Sequence, residues 1–208
     1  MSAVPVLAQP FSAGIKAGVP LTDFLNATQG GIDGDFFTYK SPTQRYIIGA
    51  TAELRLPRGF SVEVDALYRH LSYHAYNPIV PGSNTSDTTG SNWEFPLLLK
   101  YRFRFPLVRP FLDGGVAWDT LTGLRQTVTS ISYLTVPATT TTTTTSNPAE
   151  LKQSGTMGIV LGGGVDIHAL FLHISPEIRF TRWASAQINA TFLNSNLNQA
   201  EFLVGFTF

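Results

Sequence analysis

A chain of 208 residues with no cysteine, and with 14 Lys plus Arg balanced by 14 Asp plus Glu, excludes disulfides, thiol chemistry and electrostatic capture of nucleic acid. Charged residues make up 13% and aromatics 12%, where an ordinary soluble protein carries about 25% charged residues. No window approaches the ~18 uninterrupted apolar residues of a spanning helix, so residence in a membrane would have to come from strands.

Residues 1–8 are apolar and end in Val6-Leu7-Ala8, which reads as the tail of a secretory signal lacking its positive region, or else as an ordinary terminus. Residues 9–208 are expected to form one domain. Within it, period-two alternation between breakers marks eight strands, at 11–19, 45–56, 60–73, 93–104, 110–121, 155–167, 171–182 and 200–208. Each has nine to fourteen residues. About 9–11 suffice to cross a bilayer at the ~45° tilt of barrel strands, whereas ordinary strands average about 5–6.

Parity sorts the strand residues into two unlike faces. In the third strand Val62, Val64, Ala66 and Tyr68 oppose Glu63, Asp65 and Arg69, and in the fourth Trp93, Phe95, Leu97, Leu99, Tyr101 and Phe103 oppose Glu94, Lys100 and Arg102. The same division puts Lys16, Glu53, Arg55, Asp113, Asp119, Asp166, Glu177, Arg179 and Glu201 on the polar face. A soluble lipocalin-like barrel permits the same alternation with the faces exchanged. Strand length, the lengths of the connections and the placement of aromatics decide between the two.

The connections alternate. Residues 57–59, 105–109 and 168–170 are short turns, while 20–44, 74–92, 122–154 and 183–199 are long and rich in Gly, Asn, Ser, Thr and Pro. Turns at one end and loops at the other form the pattern of an outer-membrane barrel, and an even strand count then places both termini in the periplasm and the loops outside. Thr139 to Thr145 has no apolar face to bury and is expected to be a mobile external loop. Pro96 and Pro176 fall inside strands, each removing a ladder donor, and predict local bulges.

Tyr46, Tyr68, Trp93 and Trp118 sit on the apolar face at the long-loop ends, and Phe11, Phe60, Phe103 and Phe206 sit on it towards the short turns. Two aromatic rings bounding an aliphatic band are the interfacial girdles of a membrane barrel. Four segments, Trp93 to Phe103, Pro110 to Trp118, Gly162 to Ile167 and the terminal Phe206-Thr207-Phe208, together resemble the outer-membrane β-barrel family of small eight-stranded barrels, of the OmpA and OmpX type. The resemblance implies an all-β, closed, antiparallel up-and-down barrel in the bacterial outer membrane. It also implies contact with outer-membrane lipid and lipopolysaccharide, a monomeric state, and insertion by the barrel assembly machinery, which would read Phe206 and Phe208.

Eight strands enclose a space just wide enough for side chains. The polar-face residues Lys16, Glu53, Arg55, Glu63, Asp65, Arg69, Glu94, Lys100, Arg102, Asp113, Asp119, Asp166, Glu177, Arg179 and Glu201 would therefore pair across the lumen. Such a network reads as a polar plug fixing register and rigidity, or alternatively as an ion- or solute-conducting path. Lumen-face Gly14, Gly18, Gly115, Gly158, Gly162 and Gly164 would leave room for long Arg and Lys side chains. His70 and Ser72 weakly resemble the outward-facing pair of lipid A deacylase barrels, but no acid is expected beside them at that height. His74 lacks partners at metal-ligand spacing, and His168 and His173 read as surface groups at a turn. No catalytic, cofactor or metal residue is assigned. The expected role is structural or surface-interacting.

Overall fold

The computed structural model describes residues 11–32, 35–41, 46–78, 81–105, 108–169 and 172–208; residues 1–8 lie outside these. Eight strands form the body: β1 (Phe11–Pro20), β2 (Ile47–Arg55), β3 (Phe60–Asn77), β4 (Gly82–Arg102), β5 (Val108–Ser132), β6 (Gly155–Ala169), β7 (Leu172–Trp183) and β8 (Asn198–Thr207). Each pairs antiparallel with the next, and β8 returns to β1 from Gly14↔Thr207 to Pro20↔Glu201, so the ring closes. The ladder continues through the last residue: Phe208 N donates to Ala13 O at 3.2 Å and Ala13 N to Phe208 O at 3.4 Å. Closure pairs each ring strand on both sides and leaves the ring without an open edge, the condition for a sheet to cross hydrocarbon.

All eight expected spans recur, but β3, β4 and β5 run well beyond them at the long-loop end. The link read as 74–92 is thus largely hairpin, with Tyr76↔Thr85 and Asn77↔Asn84 paired. Thr139–Thr145 is a strand rather than a mobile loop, in register with β5 from Gln126↔Thr145 to Ser132↔Thr139. Branching at Cβ favours extended backbone, and the projecting part of β5 offers a row of ladder partners. Hydrogen bonding therefore substitutes for the apolar face that the threonines lack. On the other flank, Gln29–Ile32 and Asp35–Lys40 form a hairpin that joins β3 through Lys40↔His74. Leu25–Ala27, Leu193–Ser195 and Asn189–Ala190 build a separate three-stranded sheet.

Neither proline makes a bulge. Pairing of β4 with β5 passes through Pro96↔Ala117 without a shift, and β7 pairs with β8 through Pro176↔Val204. On the other side of each proline the ladder skips and resumes in the same register, from Val64↔Leu97 to Leu67↔Glu94 and from Gly164↔Glu177 to Ile167↔Ile174. A missing N–H interrupts the bonds to one neighbour only. The register shift in this region falls instead between Thr89 and Ser91, opposite Gly123, whose φ of 62° lies in the left-handed region.

Most lumen-face glycines serve backbone approach rather than side-chain room. A Cβ on Gly14 would strike the carbonyl of Phe206, and one on Gly115 the carbonyl of Leu97, because a small ring curves its strands tightly. Gly162 is different: its Cβ would meet the Asp113 carboxylate. Gly115→Ala is accordingly expected to cost about 1–3 kcal/mol by forcing β4 and β5 apart. Urea unfolding of the detergent-solubilised barrel measures it, and an unchanged midpoint would show that the strands separate freely.

Candidate functional site: the lumen and its two mouths

Alternation carries the polar residues of each strand inward, where they stack in three layers along the barrel axis. In the central layer Lys16 Nζ lies 2.6 Å from Glu63 Oε1, 3.1 Å from Asp65 Oδ2 and 3.2 Å from Glu177 Oε2. Arg179 reaches Glu177 at 2.7 Å, Asp65 at 3.0 Å and Glu63 at 3.3 Å, and Lys100 donates to the other oxygen of Glu63. Lys100 Nζ also sits 4.2 Å from the Phe111 ring centroid. All of these side chains are buried. Charges out of water persist only when paired and hydrogen-bonded, and here three cations share three carboxylates across four strands.

Towards the long loops, Arg69 faces Glu201 at 3.3 Å, Asp119 at 3.4 Å and Glu94 at 3.6 Å. Asn92, Gln199 and Gln187 complete this layer: Arg69 donates to Asn92 at 2.6 Å and to Gln199 at 2.8 Å, while Gln187 donates to Asp119 at 3.0 Å. Towards the short turns, Arg102 donates to both oxygens of Glu53, to Ser61 at 2.8 Å and to Asp166 at 3.0 Å. Arg55 Nε lies 3.7 Å from Glu53, and its Nη2 donates to His173 Nδ1 at 2.6 Å. His173 therefore faces the charge layer and is not a free surface group; the side chain of His168 is outside the described residues. Asp113 is buried opposite Lys100 in register, yet neither of its oxygens has a hydrogen-bond partner among the described residues.

Apolar side chains fill the spaces between the layers. Ile47, Leu67 and Leu203 pack together inside, as do Leu98, Ala117, Val160 and Trp183. These residues have the parity of the charges, but in a single sequence an inward leucine looks like any other. The long-loop mouth is closed by a third cluster: Phe24, Leu25, Leu71, Tyr73, Leu121, Leu124, Ile188 and Leu193. Phe24 also covers the Arg69 guanidinium, 4.9 Å from its ring centroid. Tyr39 packs on this cap, and burial, with the Glu150 carboxylate behind it, holds its hydroxyl above the usual phenol range. Leu71, Tyr73 and Leu121 share the parity of the lumen charges, whereas Phe24, Ile188, Leu193 and Gln187 come from segments read as loops and left no signal.

The outer surface is apolar. Tyr68 and Trp93 have ring centroids 5.1 Å apart, and Trp93 stacks on Phe95 at 6.3 Å. Trp118 stands opposite Phe95 in register, and Tyr46 is exposed nearer the long loops. At the other end Phe60 meets Tyr101 at 5.0 Å and Tyr101 meets Phe103 at 5.2 Å. Phe11 pairs with Leu54, and Phe206 lies between Ile15 and Ile174. From Phe60 to Tyr68 the strand advances eight residue steps, or about 26 Å, with Val64 and Leu97 paired at the middle.

The barrel-domain model for outer membrane proteins matches residues 7–182, most of the chain. The chain belongs to the outer membrane protein beta-barrel domain family. It is thus a β-barrel membrane protein of the bacterial outer membrane. Similar solved structures include Neisserial surface protein A, at 11% identity and a TM-score of 0.47, covering 96% of both chains. OprG from Pseudomonas aeruginosa matches at 13% identity and a TM-score of 0.49, over 95% of this chain and 92% of that one. Ail of Yersinia pestis matches at 8% identity and a TM-score of 0.34, over 96% of this chain and 100% of that one. No curated protein matches.

His70 and Ser72 lie on the outer surface of β3, opposite Ser91 and Thr89. Among the described residues no acid pairs with either of them; the acid nearby lies further along the hairpin, opposite His74. Asp87, on the projecting part of β4, is bonded to His74 Nδ1, because the extended hairpin brings their positions into register. That acid orients His74 and not His70, and both partners are exposed. Among the described residues no group of three or more His, Asp or Glu could hold a metal ion.

Proposed function

We propose that this protein is a sealed outer-membrane scaffold whose lumen is a charge plug and whose activity lies in surface interaction at the long-loop end, without enzymatic chemistry. The observation that carries the reading is the succession of three ion-paired layers and an apolar cap along the lumen. The long loops and the sheet built on β3, β4 and β5 face outside, both termini face the periplasm, and the two aromatic sets lie at the membrane interfaces. Outer-membrane lipid and lipopolysaccharide surround a monomer. Phe206 and Phe208 carry the signal read by the barrel assembly machinery.

Purified protein reconstituted into planar bilayers is expected to remain electrically silent. A second reading, a small cation conductor, draws on the orphan oxygens of Asp113, Glu94 and Glu201, since an excess of buried acid suits water or a passing cation. Reproducible cation-selective steps in the same recordings would replace the plug with that path.

A further inference from the structure

At the short-turn end the barrel opens into a cavity of about 550 Å³ with two unlike walls. One wall carries four guanidinium groups, from Arg55, Arg102, Arg104 and Arg109, against the single carboxylate of Asp166. Arg102 is committed to Glu53 and Asp166, and Arg55 to Glu53 and His173. Among the described residues Arg104 and Arg109 have no carboxylate partner, and neither does Arg58, which adjoins the cavity-lining Gly59 in the turn. Positive charge therefore exceeds what the protein neutralises, in a mouth with one committed acid.

The other wall is greasy. Phe60, Phe103 and Phe105 line it and are exposed at 41%, 39% and 56%, so the cavity reaches from the lumen's charge layer to the apolar outer surface. Guanidinium forks match a phosphodiester in a bidentate way, and phenyl rings beside them suit a hydrocarbon chain. A free anion would use the first wall only. A soluble acidic peptide would leave the phenyl rings wet.

We propose that this mouth binds one anionic phospholipid, with its phosphodiester held by Arg104 and Arg109 and an acyl chain along Phe60, Phe103 and Phe105. The site itself stands on the cavity. Only its assignment to the periplasmic leaflet rests on the sidedness proposed above.

The test is native mass spectrometry of the full chain in non-ionic detergent, titrated with dioleoyl phosphatidylglycerol, dioleoyl phosphatidylcholine or inorganic phosphate. One phosphatidylglycerol should be retained per barrel at concentrations where phosphatidylcholine leaves none. Arg104→Gln with Arg109→Gln should weaken that binding at least tenfold, while Arg182→Gln, on the outside of β7 and bonded to Asn198, should not change it. Should the double variant fail to fold by heat-modifiable migration, Arg104→Gln alone, at an exposed position, is expected to lose about threefold. Equal retention of both lipids, or unchanged binding in the folded variants, overturns the site; displacement of the lipid by millimolar inorganic phosphate reassigns it to free anions. Sidedness is read separately. The chain has no cysteine, so Thr142→Cys supplies a unique thiol, and its labelling on intact cells by a membrane-impermeant maleimide places the long-loop end outside. Failure there moves the lipid to the other leaflet and leaves the binding result standing.

Discussion

Replacing Arg179 by methionine is expected to destabilise the barrel by about 3–5 kcal/mol, the range for removing one partner of a buried ion cluster. The side chain is fully buried and holds Glu177, Asp65 and Glu63 at 2.7 to 3.3 Å, which leaves Lys16 and Lys100 alone against three carboxylates once it is gone. Most of the loss comes from stranded acid, not from the missing attraction. Adding Glu177→Gln to the variant removes one uncompensated charge and should recover part of the stability. Urea titration of protein folded into lipid vesicles, read by the shift between heat-modified and unmodified gel bands, measures both variants. A loss below about 1 kcal/mol would mean that water already solvates these groups, and the plug would give way to an open lumen.

The second large effect comes from the outer surface. Leu97 is 40% exposed, stands opposite Val64 and Val116, and lies midway between the aromatic pairs Tyr68/Trp93 and Phe60/Tyr101. Leu97→Arg places a guanidinium at the depth where lipid-facing charge costs about 2–4 kcal/mol in a membrane barrel, and the same unfolding assay in vesicles is expected to show that loss. At an equally exposed site in water a charge would cost within about 0.5 kcal/mol. A variant as stable as the parent would therefore contradict lipid contact at this face.

Much of the body was legible because alternation is a local property of extended chain. Glu63, Asp65 and Arg69 fall on one side of β3 and Val62, Val64 and Tyr68 on the other whatever their neighbours are, so faces and strand spans follow from residue order alone. Errors gathered where a partner strand decides the outcome. Thr139 to Thr145 reads as loop in isolation and becomes a strand only because β5 projects beside it. Pro96 and Pro176 read as bulges, yet the missing donors affect one neighbour each and leave the register intact. Asp87 and His74 are 13 residues apart and meet through the length of a hairpin whose extent sequence composition concealed.

By itself the sequence determined the class of surface each strand presents, the alternation of turns and loops, and which charges must lie on the enclosed side, since all three depend on spacing within a segment. Only the tertiary structure decided the pairings: that Lys16 meets Glu63, Asp65 and Glu177 while Asp113 meets no hydrogen-bond partner among the described residues, and that Phe24, Ile188 and Leu193 converge to close one mouth while four arginines line the other. The physical reason is ring closure. Relative height across the lumen is set by the cumulative stagger of eight ladders, a non-local quantity that no single strand records.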